Sequence, residues 1–98
     1  MTKYYTFTDK AERDLEIVID FTFERWGYVQ TSKYIDGLED RAQLLANNPD
    51  VGTKRPELFA ELLSFPYKSH ILYFVQTDDG ITIIRVLHQR MDPTQHIK

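Results

Sequence analysis

The stretch from Ser69 to His88 constrains this chain more than any other. Two strand-forming segments, Ser69 to Gln76 and Ile81 to His88, flank Asp78-Asp79-Gly80. Asp-Gly is a two-residue hairpin signal, because the turn it forms needs positive φ at its centre. Residues 81, 82, 83, 84 and 86 are all β-branched. Such side chains suit a pleated sheet surface. Ile83, Ile84, Val86 and Leu87 are nearly continuous instead of alternating with polar residues. That pattern predicts a strand covered on both faces.

The rest of the chain must supply that cover, and it is short: 98 residues, one small domain. A chain of this size buries roughly 60–65% of its unfolded surface, so its core is thin. It has no cysteine. This removes a disulfide framework, a thiolate metal site and a thiol nucleophile, and favours an intracellular setting. The longest apolar run, Ile71 to Val75, is too short to cross a membrane. Met1 to Tyr5 lacks the apolar core of a signal peptide.

The cover is helical. Asp9 with Glu12 fits a capping box, with Thr8 as the competing cap. Ala11, Leu15, Val18, Ile19, Thr22 and Trp26 then follow a 3.6-residue period, predicting a first helix that stops at Gly27. Ile17 and Phe21 form a second, smaller stripe on it. A second helix, from about Val29 to Asn47, carries Tyr34, Ile35, Leu38, Ala42 and Leu45 on one face. Gly37 lies inside it at a propensity cost of roughly 1 kcal/mol, which predicts close helix–helix packing. A connection of one or two residues makes the two helices antiparallel neighbours. Lys3 to Phe7 reads as a first strand, and Leu62 to Phe65 as a short one ending at Pro66. The turn residues Asn47 to Gly52 lead into a solvated loop holding Lys54 and Arg55. The order is β–α–α–β–β–β. It predicts an α+β domain with a helical hairpin packed on one face of a small antiparallel sheet.

Charge is uneven along the chain. Residues 1–50 carry 10 acidic and 6 basic side chains, and residues 51–98 carry 5 and 6. A formal charge of −3 suits nonspecific nucleic-acid binding poorly. His70 alternates with Leu72 and Phe74 on its strand; it reads either as a satisfied structural residue or as a proton-transfer group near neutral pH. Arg85, His88, Arg90 and Asp92 cluster at the end of the last strand, as a surface ion pair or as an anion-holding group. His70, His88 and His96 lack zinc-site spacing, and no glycine-rich phosphate loop is present, so no cofactor is expected.

Several ordered pieces carry a resemblance: Ala11-x-x-Asp14-Leu15-x-x-Val18, Trp26-Gly27, Tyr34-x-x-x-Leu38 and Leu45-Ala46-x-x-Pro49-x-x-Gly52. Phe65-Pro66-x-x-Ser69-His70-x-x-Tyr73 and the closing Leu87-His88-x-Arg90-Met91-Asp92 complete the set. Together they resemble the ParE toxins of ParDE toxin–antitoxin systems, within the RelE/ParE superfamily. The resemblance implies a bacterial cytoplasmic toxin neutralised by a ParD-type antitoxin and directed at DNA gyrase, with no membrane and no direct nucleic-acid binding by the toxin alone. RelE-like relatives instead cut messenger RNA on the ribosome with a basic cluster on the central strands. Where those relatives place basic residues, this chain has Glu61, Leu63 and Phe65, while Arg90 is kept and His96 stands about where a catalytic tyrosine would. The expected target-binding residues are therefore Arg85, His88, Arg90 and His96. Two helices carry more apolar positions than a thin sheet face covers. Ile17 and Phe21 on the first, with Val29 and Leu44 on the second, are accordingly expected to meet the antitoxin, which folds on binding. A ribonuclease, or a degenerate toxin that only binds antitoxin, is the alternative.

Overall fold

The computed structural model describes residues 2–97. Strand β1 (Tyr4–Phe7) is followed by one helical run, α1 (Asp9–Asn47). A 3₁₀ turn (Pro49–Val51), β2 (Thr53–Lys54), β3 (Leu63–Tyr67), β4 (His70–Thr77), β5 (Gly80–His88) and a second 3₁₀ turn (Pro93–Gln95) complete it. The sheet order is β1-β5-β4-β3-β2.

Thr8 wins the helix cap: its side chain accepts from the Ala11 N–H at 3.2 Å. A straight helix of 39 residues would be about 58 Å long, yet the longest dimension of the molecule is 37 Å. The run is broken at Gly27, whose φ of 81° and ψ of −176° are not helical. That region is essentially reserved for glycine. The two limbs, residues 9–26 and 28–47, therefore form a hairpin with a single residue at its bend. Contacts fix their directions. The first limb starts where Thr8 Oγ1 donates to the Ile84 carbonyl and passes Val86 at Asp14. The second limb returns from His70, met by Tyr34, to Lys3, met by Gln43.

Both limbs press on one sheet face. Ala11, Leu38, Ala42, Leu45 and Ala46 pack with Leu72, Phe74, Ile81, Ile83 and Val86. On the other face Leu62, Tyr73, Leu87 and Ile97 form a smaller cluster, joined by Leu58 and Phe59 from the loop before β3. The double cover expected for the last strand is present, and the C-terminal tail provides part of it through Ile97.

Four expectations need correction. The sheet is mixed, not antiparallel throughout: β1 pairs β5 in parallel, with Tyr5 opposite Ile81 and Phe7 opposite Ile83. The third strand does not end at Pro66 but runs on to Tyr67. The two-residue β2 pairs only with Leu63 and Ser64, so Pro66 sits where no ladder donor is needed on that side. Ile19 and Trp26 are exposed, not core. Ile19 points about 80° around the helix from Ala11, off the face that buries Val18 and Thr22. For Trp26 the reason is length: about 18 Å of helix lies beyond Asp14, whereas β5 has about 7 Å left beyond Val86, so the hairpin tip overhangs the sheet. Finally, the neighbour that needs Gly37 small is a sheet residue: a Cβ there would stand 2.2 Å from the Tyr67 hydroxyl of β3.

Candidate functional site

The overhang creates a cleft of about 510 Å³ between the hairpin and the end of the sheet. Ile17, Val18, Phe21 and Trp26 of the first limb line it, together with Tyr34 of the second limb and His70 and His88 of the sheet. This volume falls in the range of ligand and side-chain pockets.

Its polar end is a small network. The Tyr34 hydroxyl lies 2.6 Å from His70 Nδ1 and 3.3 Å from Ser69 Oγ. His70 and His88 are direct cross-strand partners, with ring centroids 5.4 Å apart and edge to face. Burial, and secondarily the neighbouring His88, push His70 below its ordinary imidazole value. Charging that ring would cost hydration. Lys68, at the β3–β4 turn, places its ammonium over the Tyr34 and Tyr67 rings at 5.6 and 5.7 Å.

Arg85 is spent inside the fold. Its Nε and Nη2 donate to the two Asp14 carboxylate oxygens at 2.8 and 2.9 Å, and its Nη1 donates to the His96 carbonyl at 2.7 Å. Asp14 also accepts the Val86 N–H at 2.9 Å. The reason lies in the sheet. β1 stops at Phe7 opposite Ile83, so the β5 edge beyond it lacks a strand. Thr8 and Asp14 side chains satisfy that edge instead. Arg85 then ties helix, strand and tail together. Hydrogen bonding to Asp14 strengthens its hold on the proton.

The other expected target-binding residues scatter. His88 lies in the cleft, with its Nδ1 accepting the Arg90 N–H at 3.1 Å. Arg90 is exposed, and its guanidinium has no partner among the described residues. Asp92 does not pair with it; Asp92 caps the tail turn through Thr94 at 3.0 and 2.7 Å. His96 is half-buried on the opposite sheet face, near Arg85 and Ile97. The apolar set is exposed throughout: Ile17 67%, Phe21 57%, Val29 67% and Leu44 45%. Ile17 and Phe21 share the cleft, Val29 stands just past the bend, and Leu44 lies near the far end of the second limb.

Glu61 is an exposed turn residue with a φ of 72°, while Leu63 and Phe65 pack against the core. Arg55 is held by Ser64 Oγ at 2.9 Å and pairs with Glu57 at 3.4 Å. Sequence reasoning missed Lys68 and read Tyr34 as a stripe residue and a piece of the resemblance, not as part of a site. Nothing in the local spacing marks either one, because their partners lie on another element.

A family model for the ParE toxin of the type II toxin–antitoxin system, parDE, matches residues 5–93. Toxin ParE1 of Mycobacterium tuberculosis is 33% identical over 98 residues, covering 99% of this chain and all of the relative. Toxin ParE1 of Caulobacter vibrioides is 28% identical over 95 residues, covering 97% and 98%. Toxin ParE of Escherichia coli is 30% identical over 89 residues, covering 90% and 86%. Among solved structures, a chain of a chromosomal ParDE system from P. aeruginosa superposes with a TM-score of 0.73 at 18% identity, covering 89% of this chain and 96% of that one.

Proposed function

Since the chain belongs to the ParE toxin family of type II toxin–antitoxin systems, we propose that it acts by binding proteins: a ParD-type antitoxin that silences it, and DNA gyrase as its target in the cytoplasm. The observation that carries this reading is the use of Arg85. The strand-borne guanidinium that could have faced a scissile phosphate is locked onto Asp14 and the His96 carbonyl. Cleaving RNA needs positive charge at the phosphate and a base at the 2′-hydroxyl. Around its polar end the cleft presents apolar side chains, Ile17, Phe21 and Trp26 among them, the surface of a protein-binding groove. Of the residues expected to meet the target, exposed Arg90 is the cation left for that contact.

Purified protein is therefore expected to block gyrase supercoiling, with Arg90→Ala weakening the block at unchanged stability. Inhibition unaltered by Arg90→Ala removes that residue from the target site. A parallel translation-coupled assay looks for messenger cleavage. Ribosome-dependent cuts lost in His96→Ala would replace the gyrase reading with a ribonuclease. Antitoxin binding with neither activity would indicate a toxin reduced to partner binding.

A further inference from the structure

Beyond the apolar walls, the polar end of the cleft has a chemistry of its own. His88 Nδ1 accepts a backbone N–H, so its neutral ring carries the proton on Nε2. Assigning the Tyr34 hydroxyl proton to His70 Nδ1 across their 2.6 Å contact gives His70 the same tautomer. Neither Nε2 has a partner among the described residues. No side-chain polar atom there is both buried and unpartnered, so both Nε2–H groups reach open space. Lys68 adds an ammonium at the rim. The one carboxylate that lines the cleft, Asp14, is saturated by Arg85 and the Val86 N–H. Thr22, Gln30 and Ser69 also line the cleft and can accept as well as donate, so what sets the polar end apart is two unpartnered imidazole N–H groups and an ammonium with no free negative charge beside them.

We propose that this cleft recognises a carboxylate carried on an apolar group, supplied by the antitoxin as an acidic residue beside an aromatic or aliphatic one. The proposal rests on the antitoxin reading above and adds the chemistry of the segment that enters the cleft. Charge complementarity selects the occupant. A purely apolar side chain would bury the two N–H donors and the ammonium without acceptors, at a desolvation cost. A carboxylate answers them with charge-assisted bonds, while Ile17, Phe21 and Trp26 hold its apolar body. The acidic outer faces of the hairpin would meet basic residues of the same partner, so the cleft is where the charge pattern reverses.

The test uses two probes of nearly equal shape, 4-phenylbutyrate and 4-phenylbutanamide. Each is titrated into the isolated toxin and followed by the single Trp26 and by histidine NMR. The carboxylate is expected to bind about tenfold more tightly, the margin of a charge-assisted over a neutral hydrogen bond. His70→Phe, which leaves His88 and Lys68 in place, should reduce the preference by about threefold. Lys68→Ala, at an exposed turn, should reduce the preference by about threefold. Equal affinities, a preference for the amide, or no binding of either probe would overturn the proposal. Saturating 4-phenylbutyrate should also compete with the cognate antitoxin. Antitoxin that binds with undiminished affinity would overturn the proposal and leave the antitoxin reading intact. Antitoxin that does not bind at all would overturn both.

Discussion

Arg85 on β5 and Asp14 on the first helical limb face each other as a fork on a carboxylate, at 2.8 and 2.9 Å. Both side chains are largely buried, 16% and 10% exposed. The pair bolts the hairpin to the strand and, through the His96 carbonyl, to the tail. Asp14→Ala would strand the guanidinium and uncover the Val86 N–H, so a loss of about 3 kcal/mol is expected from urea unfolding. Asp14→Ala with Arg85→Ala together should cost less than the sum of the two, since neither charge is then left alone.

The bend at Gly27 has open space where a Cβ would stand. Gly27→Ala therefore acts on the backbone alone, through a φ of 81° that L-residues avoid. A destabilisation of about 1–3 kcal/mol is expected. A thermal melt indistinguishable from the parent would mean the bend tolerates a side chain.

At Gly37 the cost is steric. The Tyr67 hydroxyl that a Cβ would strike is buried and donates to the Tyr34 carbonyl at 2.8 Å. Gly37→Ala should lose about 1–3 kcal/mol from overpacking, despite alanine's better helix propensity. In a Tyr67→Phe background, which removes the clashing oxygen, the same change should cost clearly less. Four denaturation curves decide the point.

His70 links stability to pH. Its proton affinity is lower folded than unfolded, because burial and His88 disfavour the charged ring. The unfolded chain then binds more protons as pH falls below the ordinary 6.5. Stability contributed above that value is lost as pH drops through the lowered folded pKa. Denaturant midpoints measured from about pH 7.5 to about pH 5 should decline, and His70→Gln should flatten that slope.

Ile17 and Phe21 stand in solvent, so their loss should leave the fold nearly untouched. Ile17→Ser and Phe21→Ser are expected to change stability by less than about 1 kcal/mol. Each should weaken antitoxin binding by about tenfold or more, as truncation of an interface anchor does. Calorimetry showing parental affinity in both variants would move the antitoxin elsewhere.

The local signals in this chain were those carried by neighbouring residues. The Asp-Asp-Gly turn, the continuous apolar run after it, the 3.6-residue stripes and the stop at Gly27 each concern positions a few residues apart. Chain connectivity alone makes such patterns readable. They set the element order, the hairpin and the need for cover on both sheet faces. Tertiary structure decided the rest. Asp14 and Arg85 are 71 residues apart, and Tyr34 and His70 are 36 apart. No spacing rule foretells that a β1 ending at Phe7 leaves an edge for Asp14, and so removes Arg85 from the surface. The same holds for Ile19 and Trp26. Their periodicity marks a core face, but Ile19 stands at its margin beside buried Val18 and Thr22, and Trp26 lies past the end of β5, where no surface opposes it. The cleft exists because of that mismatch in length. Sequence alone placed its apolar walls on the correct helix, but only the fold brought His70, His88 and Tyr34 to meet them.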